Sequence, residues 1–336
     1  GAQRQATLFK TRVVDFIETF VKRNARTNYA IKAIMPLVSL AAASSRDEDH
    51  MSKKATKVLK TAFSKTDDLI DDLDISLASE ALKTLHETAK KVHGVDIASV
   101  FNPPTRYLVR NLARAGKHDV IQEEYVALLN DYIKHKQSKV PVQTLEDFIR
   151  TVPACAWRLR SRLVECCKPG ESSKVFRQVQ AMRLLKDLVI SASAPNSGVK
   201  EEIPDFLSPV AVAFSDVLSS ECNSKDSDMS SAQLREVLQH LSAIVRKTHN
   251  KDANDIWTAH ETLSSLLTRL KEEKKSKPLN QVIDALLKVI GAENASKRSR
   301  KRKQRETASV PALPNTEDAT DLSSQPKKKK KRARKE

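Results

Sequence analysis

Six glycines among 336 residues are too few to serve the many tight turns of a β protein, and Leu, Ala, Lys and Glu dominate in their place. The chain therefore reads as all-α. Its four cysteines, Cys155, Cys166, Cys167 and Cys222, contain no C-x-x-C pair and fall in helical stretches, which predicts reduced thiols and excludes the usual zinc frameworks. The eight histidines include no His-x-x-x-His pair; His260, one helical turn from Trp257, reads as a surface or core histidine and not as a ligand. No stretch of about 18 consecutive apolar residues occurs, so no membrane-spanning segment is expected. A signal peptide is also missing, and the chain starts at Gly1 and opens almost at once on a helical pattern, which suggests a C-terminal piece of something longer.

What the chain has in excess is positive charge, and it is unevenly spread. Residues 297–336 hold fifteen Lys or Arg against five Asp or Glu, so this short stretch carries ten of the formal +17. One cluster is Lys297, Arg298, Arg300, Lys301, Arg302, Lys303 and Arg305; the other is Lys327, Lys328, Lys329, Lys330, Lys331, Arg332, Arg334 and Lys335. An acidic spacer with prolines separates them. With no aromatic residue and few aliphatic ones, the segment cannot bury enough surface to offset the entropy of ordering, and it is expected to be disordered. Two such clusters suit nucleic-acid contact, nuclear targeting through an import receptor, or both. The organisation expected is a helical body over residues 1–295 and a Lys/Arg-rich tail over 296–336.

Within the body the 3.6-residue period recurs about a dozen times, with short polar or proline-containing breaks and no convincing strand. Tyr29 to Ser44 is apolar nearly all round and reads as central, with Pro36 expected to kink it or to mark where one turn ends and the next begins. Asp47 to Phe63 turns Met51, Ala55, Val58, Leu59 and Ala62 inward and Lys53, Lys54, Lys57 and Lys60 outward. Further patterns run through Ser76–Val92, Thr105–Leu112, Asp119–Ile133 and Ser172–Ala192, the last with Phe176 and Val179 inward. Phe206–Ser219, Leu234–Val245, Asp255–Lys274 and Leu279–Ile290 complete the series. Helical pairs at intervals near the roughly 40 to 47 residues of HEAT or armadillo units predict an irregular α-solenoid, an irregular bundle being the alternative.

The first of these patterns, Leu8 to Arg23, is the most distinctive. Leu8, Phe9, Arg12, Val13, Phe16, Ile17, Phe20 and Val21 fall on one side of a helix, and in a chain with only 4% aromatic residues these three phenylalanines read as a core-facing stripe. The motif Phe9-Lys10-x-Arg12-Val13-x-Asp15, continuing through Phe16, Phe20 and Lys22 to Met35-Pro36-Leu37, resembles a segment in the C-terminal half of the DNA polymerase phi family, also called the Myb-binding protein 1A family. The good resemblance runs over residues 8–63, including the Lys-rich helix that ends at Phe63. It implies a nucleolar factor in ribosomal RNA gene transcription and ribosome assembly, with transcription regulators as partners.

The family's name invites a search for polymerase chemistry, which needs carboxylates on rigid structure for two metal ions and basic groups for a triphosphate. Neither constellation appears, and no glycine-rich phosphate loop or nucleophile–histidine arrangement is suggested by local sequence. Asp67-Asp68-Leu69-Ile70-Asp71-Asp72-Leu73-Asp74 matches D-D-x-x-D, yet a prenyl-transfer site needs a second such motif; it reads instead as a solvated acidic face or helix start. The reading is thus a non-enzymatic nuclear and nucleolar scaffold without cofactor, metal, membrane or small-molecule substrate. Its body would bind nuclear proteins, and its tail ribosomal DNA or RNA. A nucleotidyl transferase and a nuclear-transport-type helical adaptor are the rivals, the second disfavoured because such adaptors are usually acidic and lack a terminal basic tail.

Overall fold

The structure, a computed structural model, describes residues 2–43, 49–65, 67–223, 229–249, 255–274 and 276–291. The basic clusters of residues 297–336 lie outside these. In chain order the helices are α1 (Ala2–Arg23), α2 (Asn28–Ala41), α3 (Asp49–Ala62), α4 (Ile75–Lys91), α5 (Ile97–Val100), α6 (Asn102–Arg114), α7 (His118–Lys134) and α8 (Val142–Thr151). There follow α9 (Pro153–Ala156), α10 (Arg160–Cys167), α11 (Val175–Ala192), α12 (Ile203–Asn223), α13 (Ser231–Thr248), α14 (Ile256–Ala259), α15 (Glu261–Glu273) and α16 (Lys277–Ile290). No strand occurs among the described residues.

Local chemistry explains most of the boundaries. Asp74 accepts a hydrogen bond from the Leu77 amide and Asp96 one from Ser99, each satisfying a donor that the first turn of a helix leaves free. Ser230 and Gln233 form a reciprocal capping box at the start of α13. Gly291 ends α16 at φ +79°, a left-handed conformation that costs a glycine little. Pro36 lies inside α2 and Pro209 inside α12, and both helices continue past them. Asp255–Lys274, read from the sequence as one helix, is divided: His260 leaves helical geometry and caps α15 by accepting from the Leu263 amide through Nδ1.

Two rows organise the packing. One runs α2, α4, α6, α8, α11, α13, α16, each helix against the next; the other includes α1, α3 and α5, then α10, α12 and α15. Rungs such as α2 on α3, α10 on α11 and α15 on α16 join the rows. All the substantial partners of a helix lie within four places of it in the chain, which is the contact pattern of a solenoid and not of a bundle. The core between the rows is aliphatic, with a few large anchors. Phe63 meets Tyr107 edge-on at 5.1 Å, and Tyr125 stacks on Phe148 at 3.6 Å with His86 against its edge. Trp157 and Trp257 are wholly buried, their indole N–H groups donating to Glu202 and to Thr248.

Polar side chains pin the loops of the first repeats. Tyr107 donates its hydroxyl to the Ala25 carbonyl at 2.7 Å, fixing the turn between α1 and α2. Asn111 accepts from the Ile70 amide, and Arg110 donates to the carbonyls of Phe63 and Lys65, so α6 holds the chain after α3 at Phe63 and Lys65 and again at Ile70.

Candidate functional site

The aromatic stripe of α1 is where the structure departs most from the sequence reading. Val14 and Val21 are buried and Ile17 packs against the core, so these three, at i, i+3 and i+7, make the face that α2 and α3 cover. Leu8, Phe9, Val13, Phe16 and Phe20 do not face the core: Phe9 is 70% exposed, Phe16 75% and Phe20 45%. The helix carries two neighbouring apolar stripes, and the one with the valines is the one that is covered. Phe176, expected inward on α11, is likewise 54% exposed.

The surroundings of the stripe are fixed by charge and ring contacts. Asp15 pairs with Lys54 of α3, and Glu18 with Lys22 at 2.6 Å, on the flank away from the phenylalanines. Arg12 is exposed beside Val13 and Phe16, and Arg23 is exposed at the helix end. Phe20 meets Tyr29 of α2 edge-on at 6.5 Å, and Lys32 lies 5.6 Å over the Tyr29 ring. Beyond Tyr29 a surface hollow is lined by Arg26, Asn28, Lys32, Asp71, Asp72 and Asp74.

That hollow contains the acidic segment, and its carboxylates diverge. Asp68 lies 3.8 Å from Arg26, Asp71 pairs with Arg114 at 3.0 Å, and Asp74 is committed to the start of α4. Asn28 clamps the segment by donating to the Asp72 carbonyl and accepting from the Asp74 amide. The residues before Ile75 are not helical, so the D-D-x-x-D spacing does not put its carboxylates on one helix face. Among the described residues no three His, Cys, Asp or Glu side chains gather as metal ligands would.

The fold also brings together side chains that local sequence could not reveal: Cys155 Sγ and His118 Nδ1 lie 3.7 Å apart across 37 residues. Burial pushes the Cys155 thiol up, away from the thiolate a nucleophile requires. Burial also drives Cys166 up to about 11, and all four cysteines are buried free thiols. Of the outward lysines of α3, Lys53 pairs with Asp49 at 2.7 Å and Lys54 with Asp15, while Lys57 and Lys60 are exposed.

The described helices include none long and apolar enough to cross a membrane. No curated protein and no solved structure matches the chain. A family model described as Myb-binding protein 1A-like, TPR repeats, matches residues 24–293. The match begins past the Phe9–Asp15 motif and continues far beyond Phe63, so it rests on the two-row helical array as a whole. Over that array, from the turn after α1 to the end of α16, the chain belongs to the Myb-binding protein 1A-like family of TPR-repeat proteins.

Proposed function

We propose that the chain is a non-enzymatic scaffold of the nucleolus, acting in ribosomal RNA gene transcription and ribosome biogenesis. Its helical body binds nuclear proteins, transcription coregulators among them, and its basic clusters bind ribosomal DNA or RNA and an import receptor. The observation that carries this reading is the pairing of a Myb-binding protein 1A-like repeat array with fifteen cations in residues 297–336. Helical repeats present long surfaces to proteins, whereas dense Lys and Arg attract polyanions without needing a folded pocket. The absence of an aromatic residue from these clusters leaves nothing to stack on bases, so nucleic acid is held through its phosphates with little sequence preference.

Salt titration of binding is the test. Each phosphate neutralised on duplex DNA contributes a log–log slope of roughly −0.9, and about −0.7 on single strands. Deleting residues 297–336 should remove most of that slope and disperse the protein from the nucleolus, with thermal unfolding of the helical body nearly unchanged. A truncated body that keeps the full slope would move the binding surface to exposed lysines such as Lys57 and Lys60. Magnesium-dependent primer extension by the chain would overturn the non-enzymatic reading.

A further inference from the structure

A polar hollow of about 540 Å³ opens where α7, the turn between α9 and α10, and the turn before α12 meet. Its walls bring together His118, Gln122, Arg158, Arg160, Ser161 and Glu202. Two arginines thus share the hollow with one carboxylate, and that carboxylate is already engaged. Glu202 Oε2 accepts from the buried Trp157 indole at 2.8 Å and lies 3.6 Å from the Arg160 guanidinium. Arg160 is held in place as well: it donates to the Trp157 carbonyl at 3.1 Å and lies 5.4 Å over the indole ring. Arg158 is exposed and forms no ion pair among the described residues. A further donor follows from Cys155. Burial keeps its thiol protonated, and sulfur is a weak acceptor beside an imidazole nitrogen, so the S–H donates to His118 Nδ1 at 3.7 Å and the imidazole proton rests on Nε2. His118 then offers an N–H, Ser161 a hydroxyl and Gln122 an amide beside the two guanidinium forks, a donor set suited to an oxyanion.

We infer that this hollow binds the phosphate of a phosphorylated serine or threonine in a partner protein. Arg158 and Arg160 take the phosphate oxygens, and His118, Ser161 and Gln122 supply the neutral donors around them. A carboxylate has one charge and two oxygens and leaves part of this set unused, whereas a phosphate ester brings nearly two charges and three oxygens. The volume exceeds what one phosphate fills, so residues on either side of the modified one have room to enter. Nucleic acid suits the rim less well. Exposed Asp119 and Glu201 adjoin His118 and Glu202 in the chain, and a strand with a phosphate on every nucleotide would set further negative charge against them. A phosphopeptide carries a single such group and can meet these acids with basic neighbours. The inference rests on the reading of the helical body as a protein-binding scaffold and names the chemical mark that one partner carries.

Fluorescence anisotropy with the full chain tests it, using a labelled peptide with one phosphoserine between arginines and the same peptide with plain serine. The arginines disfavour capture of the probe by the cations of residues 297–336. The phosphorylated peptide should bind saturably and about ten-fold or more tightly than its counterpart. Arg158→Ala should weaken it by a similar factor, as loss of a charged hydrogen-bond donor does, and leave the melting temperature unchanged because the side chain is exposed and unpaired. Arg158→Lys should recover part of the loss. Equal affinity for the two peptides overturns the proposal, and so does an affinity unchanged in Arg158→Ala, which assigns capture to residues 297–336. Inorganic phosphate that displaces the peptide at concentrations below the peptide's own Kd assigns the hollow to the free ion and overturns it equally. A single-stranded oligonucleotide whose binding falls further in Arg158→Ala than the peptide's assigns it to nucleic acid, with the same consequence. Protein crosslinking in nuclear extract separates this site from the reading beneath it. If phosphopeptide binding fails while proteins still crosslink to the helices, only the phosphate site falls; if no protein crosslinks to the helices, the scaffold reading falls.

Discussion

Two phenylalanines of the first three helical segments have opposite energetic roles. Phe16 is 75% exposed and Phe63 is 1% exposed, locked edge-on against Tyr107. Phe63→Ala should cost about 3 to 5 kcal/mol, since it removes a full ring from the core and leaves a cavity. Phe16→Ala should stay within about 0.5 kcal/mol of the parent, as surface substitutions do. Urea denaturation of both variants checks the contrast, and a Phe16 cost as large as that of Phe63 would put the stripe back in the core. Titratable residues add a pH term. Burial pushes the Glu124 carboxyl up, but its hydrogen bond to His86 at 2.7 Å and nearby lysines outweigh this, and its pKa lies below the ordinary value. Asp131, also raised by burial, is lowered on balance by Lys90 and His135. A depressed folded-state pKa stabilises above the unfolded value, so both contributions are present near neutrality and disappear as pH falls below about 4. Asp147 runs the other way, because burial outweighs Arg106 and leaves its pKa raised; its protonation on acidification favours the fold. Melting temperature should therefore fall from pH 6 to pH 3 less steeply in Glu124→Gln than in the parent.

At the scale of the element, helix existence followed from the 3.6-residue period because each helix has one covered side. The helical period along α3 puts Met51, Ala55, Val58, Leu59 and Ala62 inside, where they are. The period could not say which of two apolar stripes on α1 would be covered. Val14, Ile17 and Val21 compete with Phe9, Phe16 and Phe20 in the same wide arc, and the choice is made by the shape of α2 and α3, which no local pattern contains. The acidic run Asp67–Asp74 is legible as a helix start only at its last residue, Asp74; Asp68, Asp71 and Asp72 are held by Arg26, Arg114 and Asn28, which lie far away in sequence. His118 and Cys155 met for the same reason. The break at His260 turned on a cap whose acceptor is a ring nitrogen, a role seldom filled by histidine. Because each helix leans on near neighbours, damage should remain local. In Leu59→Ala, hydrogen exchange should accelerate first in α1 to α4, with α15 and α16 keeping their protection. Simultaneous loss across both ends would mean that the rows act as one bundle.

For the whole molecule, membership of the Myb-binding protein 1A-like family extends over nearly all the described helices, whereas the motif that first suggested it lies before the matched residues. The family was legible from Met35-Pro36-Leu37 and the Lys-rich α3, which fall inside the match, while the basic clusters at 297–336 lie beyond its end and carry their argument on charge alone. The two tryptophans give this arrangement an optical consequence. The chain has only two, both are fully shielded, and they lie at different stations of the array, Trp157 beside Phe206 of α12 and Trp257 in α14. One indole N–H is bonded to a carboxylate and the other to a hydroxyl, so the two emit from unlike surroundings. Removing either as Phe leaves a chain with one built-in lamp. The pair of variants then shows, by the red shift of each emission on heating or in urea, whether the middle and the end of the array come apart in one step or in succession.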